Sequence, residues 1–117
     1  MSSLSLPKSA RLSRRSEFAD VREKGRSWHG RLMVLGCLAS GTKSPARFGV
    51  VTSRRTGGAV ERTKLRRRLR EIFRVHRPSL ADGLMMVAVP RRAAVVAPFQ
   101  ALRDEWLALA GRARAFK

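Results

Sequence analysis

Apolar residues recur along this chain with two different periods. On a wheel of 100° per residue, Leu69, Ile72 and His76 lie within about 40° of Leu65, with Phe73 roughly 80° from it. That spacing predicts a helix presenting one stripe to a core. Glu61 in its first turn and Arg74 with Arg77 at its end suit the helix dipole, and Pro78 stops it. A shorter helix is predicted over Arg14 to Lys24, with Ser13 as cap, Phe18 and Val21 on one face, and Gly25 as terminator. A last helix fits Pro98 to Ala113, where Phe99, Leu102, Trp106, Leu109 and Ala110 keep helical spacing and Pro98 is tolerated in the first turn.

The other period is that of strands. Arg31 to Ala39 and Arg47 to Thr52 read as two strands, and the turn-forming cluster Ser40 to Pro45 between them has the composition of a hairpin loop. Leu84 to Val89 is a continuous apolar run ended by Pro90, the length of a buried strand. The resulting order is helix, strand, strand, helix, strand, helix. It predicts an α+β fold, a two-layer α/β sandwich with helices against a mixed, mostly antiparallel sheet. The strand after the long helix is expected parallel to the one before it, and the general rule for such a crossover is right-handed. With 117 residues, 44% of them apolar, and no internal repeat, the whole of 1–117 is read as one domain with one modest core.

Charge changes the picture from a generic sandwich to a polyanion binder. The formal net charge is +18, with 21 arginines against five lysines. Such a field attracts phosphate polymers, and guanidinium grips phosphate oxygens in pairs and stacks on bases where ammonium cannot. Between Arg54 and Arg74 stand eight arginines and one lysine around a Gly57-Gly58 turn. Arg62, Arg66 and Arg70 run down one flank of the long helix toward Arg67 and Arg74, while Lys64 and Arg68 share the other side with Glu71. Two cationic flanks border one buried seam, an order that a disordered basic tail would lack. The RNA-binding candidates are therefore Arg54, Arg55, Arg62, Lys64, Arg66, Arg67, Arg68, Arg70 and Arg74.

Other residues carry less chemistry. No run approaches the ~20 apolar residues that span a membrane, and Met1 to Pro7 lacks the apolar stretch of an export signal, so a cytoplasmic protein is expected. Cys37 is the only cysteine, which excludes an intrachain disulfide, and its apolar neighbours make it a small strand or core residue. The eight carboxylates and two histidines form no ligand set for a pair of hydrolytic metals. Glu17, Asp20 and Glu23 read as a solvated helix face, with Asp20 and Lys24 an i,i+4 pair. His29 and His76 read as packed or surface groups, and Trp106 as core. No protein active site is evident, and no residue is read as catalytic.

The segment Val50-Val51-Thr52-Ser53-Arg54-Arg55-Thr56-Gly57-Gly58-Ala59-Val60-Glu61-Arg62-Thr63-Lys64-Leu65-Arg66-Arg67-Arg68-Leu69-Arg70-Glu71-Ile72-Phe73 resembles the signature of the bacterial ribonuclease P protein subunit. That signature joins a strand ending in Ser and two basic residues to Gly-Asn-Ala-Val and an Arg-Asn-Arg helix start. Leu6 to Leu12, then Glu17, Phe18, Val21 and Gly25, resemble the family's lead-in and opening helix. Thr63 stands where the signature has Asn, Lys64 where it has the second Arg, and Gly58 for the Asn after Gly. Arg22 occupies the place of a second aromatic. Lys64 keeps the charge without the bidentate fork, and Thr63 keeps one hydroxyl in place of an amide.

The resemblance implies a protein subunit that binds the catalytic RNA of ribonuclease P and the 5′ leader of precursor tRNA. It implies assistance to Mg²⁺-dependent removal of that leader, the ion being held mainly by the RNA, and a left-handed crossover around the basic helix. It implies that Phe18 and the sheet face line a leader cleft beside the arginine helix, with Arg11, Arg22 and Ser53 as further candidates; for Phe18, core and cleft placements both stand. No DNA or membrane partner is expected, because no second helix at helix-turn-helix spacing precedes the arginine helix and few Asn or Gln are available for base readout. The alternative reading is a structural RNA-binding protein of the ribosomal type with no role in cleavage.

Overall fold

The computed structural model describes residues 6–117; Met1 to Ser5, part of the stretch read for an export signal, lie outside the described residues. Helix α1 (Arg15–Lys24) precedes strands β1 (Arg26–His29), β2 (Met33–Ala39) and β3 (Arg47–Val50), then α2 (Ala59–His76), β4 (Leu84–Pro90) and α3 (Phe99–Arg112). The four strands form one sheet in the order β1-β2-β4-β3, antiparallel except for the parallel pair β3 and β4. The α+β sandwich, the mixed sheet and the parallel relation of β3 to β4 agree with the sequence reading.

The expected hairpin between 31–39 and 47–52 does not exist. Strand β4 lies between its two arms, pairing Leu35 with Ala88 on one side and Gly49 with Val87 on the other. The physical reason is burial: the uninterrupted apolar run of β4 suits the centre of the sheet, where it is flanked by a strand on each side. The Ser40 to Pro45 loop instead wraps the turn that leads into β4. Ser40 N–H donates to the Gly83 carbonyl at 2.8 Å and Gly83 N–H to the Ser44 carbonyl at 2.6 Å. Gly83 has φ +76°, and a β-carbon there would come 2.3 Å from the Thr42 carbonyl oxygen, so only glycine fits.

Strand β1 is absent from the sequence reading because Arg26, Ser27 and His29 are polar and exposed, the pattern of a short edge strand that buries little. The cap of α1 also differs. The Ser13 side chain does not cap it; Glu17 reaches back, its Oε1 accepting the Ser13 and Arg14 N–H groups at 3.1 and 3.0 Å. A third-position carboxylate satisfies two orphan donors where one hydroxyl would satisfy one.

The main core fills the sheet face under α2 and α3. Leu65, Leu69, Ile72 and Phe73 of α2 are buried as the helical stripe requires, with Phe48 and Phe73 stacked 4.7 Å apart. Each such side chain contributes roughly 1.5–3 kcal/mol, which holds α2 in place against the mutual repulsion of its arginines. His76, on the same stripe, is half-buried; its Nδ1 lies 2.8 Å from the Ile72 carbonyl and its ring packs against the buried Trp106. Cys37 is buried on β2, where desolvation pushes its thiol up to about 12. The opposite sheet face is only partly covered, by α1, through a smaller cluster of Leu12, Val21 and Val87.

Candidate nucleic-acid interface

The arginine surface starts at the turn that ends β3. Thr56 is buried, its N–H donating to the Ser53 carbonyl and its Oγ1 accepting the Ser53 N–H, and this closed turn leaves Arg54 and Arg55 exposed. Gly58 precedes α2, and Glu61 Oε1 accepts its N–H at 2.8 Å, which secures the first turn.

Along α2 the seam anchors the helix and the protein body fixes several guanidiniums. Arg62 Nη1 donates to the Gly57 carbonyl at 3.0 Å and Arg66 Nη1 to Thr52 Oγ1 at 2.8 Å. Arg66 Nη2 also donates to Thr63 Oγ1 at 3.2 Å, so the hydroxyl standing where the signature has Asn orients a neighbouring cation. Arg68 Nη1 reaches the Ala97 carbonyl at 3.3 Å, on the opposite flank. Arg66, Arg67, Arg68 and Arg70 then line an open trough of about 830 Å³ with Arg11. Burial lowers the Arg70 pKa, and the charges of Arg11 and Arg66 lower it further. This crowding marks a surface organised for an anion, since a guanidinium stays protonated in proteins. Lys64 is exposed beside the trough without lining it.

Arg74 is differently placed from the other candidates. Its Nε and Nη2 both donate to the Glu71 carboxylate, at 2.8 and 2.7 Å, raising the pKa of Arg74. The same hydrogen bonding holds the Glu71 carboxyl below its ordinary range, against the opposing effect of burial. A phosphate would have to compete for this cation, so Arg74 offers less to RNA than its position in the row suggests.

The half-covered sheet face carries a second concavity. Phe18, Val21 and Arg22 of α1 form one wall of an apolar groove of about 340 Å³, whose floor is the valine-rich face of β2 and β4. Phe18 is half-buried, at once packed against the minor core and lining this groove. It also lines an adjoining hollow with Arg11 and Arg70, residues that belong to the trough. Groove, hollow and trough thus follow one another across the surface. Arg22 is exposed at the groove wall. Ser53 is not among the lining residues; Val51, two positions earlier, is, and Ser53 serves the turn that presents Arg54 and Arg55.

The sheet face expected in the cleft does line the groove, but sequence reasoning did not name its floor residues: Val34, Gly36, Val51, Val87 and Val89. Alternation along the two strands is its only sequence signal, because the facing partner of each strand is not encoded locally. It also missed Phe99, placed on the buried stripe of the last helix but 37% exposed and lining the trough. As the first residue of α3, it precedes the buried positions of that helix, which begin at Leu102.

Among the described residues, no three His, Cys, Asp or Glu come together as a metal site. No helix among them is long and apolar enough to cross a membrane.

Residues 6–114 match the protein family described as Ribonuclease P. The chain is 41% identical over 100 residues to the ribonuclease P protein component of Chloroflexus aurantiacus, covering 85% of this chain and 73% of that one. It is 36% identical over 100 residues to the corresponding component of Symbiobacterium thermophilum, covering 86% and 87%. The solved structure of the RNase P protein from Thermotoga maritima superposes with a TM-score of 0.78 at 30% identity, over 87% of this chain and 96% of that one.

Proposed function

We propose, from the premise that this chain belongs to the ribonuclease P protein family, a division of labour between its two concavities. The chain is the protein component of bacterial tRNA 5′ processing, and the alternative of a ribosomal-type protein without a role in cleavage is not favoured by its relatives. The arginine trough on α2 takes the phosphate backbone of the catalytic RNA. The apolar groove beside Phe18 takes the single-stranded 5′ leader of precursor tRNA.

The observation that carries this reading is the sharing of Phe18, Arg11 and Arg70 between adjoining hollows. An aromatic wall and apolar floor next to fixed guanidiniums suit a single strand, because stacking contributes roughly 1–3 kcal/mol per base and accepts any base. Broad recognition of leaders follows. Arg54, Arg55, Arg62, Arg66, Arg67, Arg68 and Arg70, with Lys64, neutralise RNA phosphates, releasing counterions.

The protein's own oxygen donors do not fit a catalytic Mg²⁺ site. Three of its carboxylates are committed elsewhere, Glu17 to Arg47 and the α1 cap, Glu71 to Arg74, and Glu105 to the N–H groups of Arg31, Leu32 and Met33, and no three ligating side chains converge among the described residues. In this reading the RNA holds the Mg²⁺ and carries phosphodiester hydrolysis in the cytoplasm, leaving mature tRNA with a 5′-phosphate, and the protein supplies affinity and charge neutralisation. The test is a reconstitution at low Mg²⁺. Protein alone is expected to leave precursor tRNA uncut, and protein with the cognate catalytic RNA to remove a leader that the RNA alone removes poorly. Cleavage by the protein alone, or RNA activity indifferent to it, overturns the reading.

A further inference from the structure

Phe99 stands at the junction of two concavities. One is the arginine trough, where it shares a wall with Arg67 and Arg68. The other is a hollow of about 500 Å³ between α2 and α3, floored by Ile72, Val75 and Leu107 and rimmed by His76, Arg103 and Glu71, whose carboxylate is neutralised by Arg74. Two of these apolar side chains are substantially open to solvent, Val75 at 56% and Phe99 at 37%. Arg68 is tied to the Ala97 carbonyl, two residues before Phe99, so a fixed cation stands beside the entrance to the hollow.

We propose that this hollow receives an unstacked base of the RNA whose backbone lies in the trough, with Phe99 as its stacking platform. The inference rests on the assignment of the trough to the catalytic RNA. Charge selects the occupant. A strand crossing the trough from Arg70 past Arg67 to Arg68 reaches Phe99 at the mouth of the hollow, and its phosphates stay among guanidiniums while one base turns inward. An apolar protein segment would have to desolvate the same arginines without offering phosphates. The His76 Nδ1 is engaged by the Ile72 carbonyl, which in the neutral ring makes Nδ1 the donor and leaves Nε2 as an acceptor. Together with Arg103 it gives the rim both polarities that the edge of a base can meet. Stacking on a half-exposed aromatic next to a cationic track is how sequence-tolerant single-strand sites gain affinity without base-edge readout.

The experiment measures equilibrium binding of the cognate catalytic RNA to F99A, F99L, F99W and the unaltered protein across a salt series, with nucleotide-resolution chemical probing of each complex. F99A and F99L should each lose about 5- to 150-fold in affinity, the range for one base stack, with the salt slope unchanged because no phosphate contact is removed. F99W should bind as well as the original. One nucleotide protected in the original complex should become reactive with F99A. Thermal melts of all four proteins should agree, since Phe99 is outside the core. Full affinity of F99A, full affinity of F99L as for a purely apolar contact, or absence of a single newly reactive nucleotide overturns the inference. R66A/R70A run in parallel separates the two levels: a flattened slope there with a silent F99A removes only the base pocket. An unaltered slope in R66A/R70A removes the RNA assignment of the trough itself.

Discussion

Phe18 occupies the space that a side chain on Gly49 would take. A β-carbon at Gly49 would come 2.4 Å from the Phe18 Cε1 and 2.6 Å from Cζ. The close approach of ring to strand sets how far Phe18 stands into the groove. G49A should push the ring off β3 and narrow or tilt the groove wall. Leader affinity should fall severalfold, while binding of the catalytic RNA, whose trough lies beyond the adjoining hollow, stays within about twofold. Comparing precursor tRNA with tRNA lacking a leader, at saturating catalytic RNA, checks this; equal losses for both substrates would move the leader away from Phe18.

The trough makes a prediction about salt. For six or more phosphate contacts, affinity should fall on the order of 10³-fold between about 50 and 200 mM salt. R66A/R70A should flatten the logarithmic slope by roughly 1 per arginine removed, so the loss across that interval shrinks by roughly tenfold. The seam residues are untouched and the variant should remain folded by circular dichroism. An undiminished slope would place the RNA on another surface.

Glu17 joins α1 to the sheet. Burial tends to raise its pKa, but hydrogen bonds from the Arg14 N–H, the Arg47 guanidinium and the Ser13 N–H outweigh this and hold it below 4.5. A carboxyl with a depressed native pKa stabilises fully above its unfolded value and loses that contribution as pH falls through the native value. Melting temperatures from pH 6 to pH 3 should therefore drop more steeply for the original protein than for E17Q. At neutral pH, E17Q should be less stable by on the order of 2 kcal/mol, because charge-assisted hydrogen bonds are lost and Arg47 is left without its carboxylate. Parallel curves for the two proteins would count against this role.

Glu105 has a different structural duty. Its carboxylate accepts N–H groups from Arg31, Leu32 and Met33, each at 2.8 Å, and so pins the turn into β2 onto α3. E105A leaves three backbone donors without their acceptor and should lower the melting temperature by roughly 8–15 °C. G30A should act similarly, since its β-carbon would land 2.5 Å from the Glu105 Cδ. Below the transition both variants should bind RNA normally, which binding assays at low temperature will test.

Cys37 should be inert in the folded protein. With a thiol pushed up to about 12, only about one in ten thousand would be ionised at pH 8. Its reaction with a disulfide reagent should be slow until denaturant unfolds the chain. Rapid native labelling would mean that β2 opens locally.

The sequence by itself determined the arginine helix. Leu65, Leu69, Ile72 and Phe73 recur at helical spacing, and that recurrence dictates which side of α2 faces inward and hence which arginines face out. It also determined the helices at either end, the apolar strand β4 and the buried setting of Cys37 and Trp106, because each of these follows from neighbours within a few residues. Only the tertiary structure decided that β4 separates β2 from β3, that Arg26 to His29 pair as an edge strand, and that Glu17 rather than Ser13 caps α1. It alone brought Phe18 beside the valine floor, paired Arg74 with Glu71, and left Phe99 at the mouth of a hollow. The physical reason is range: periodicity records how one segment divides itself between core and solvent, whereas strand order and shared concavities arise from which distant segments bury each other best.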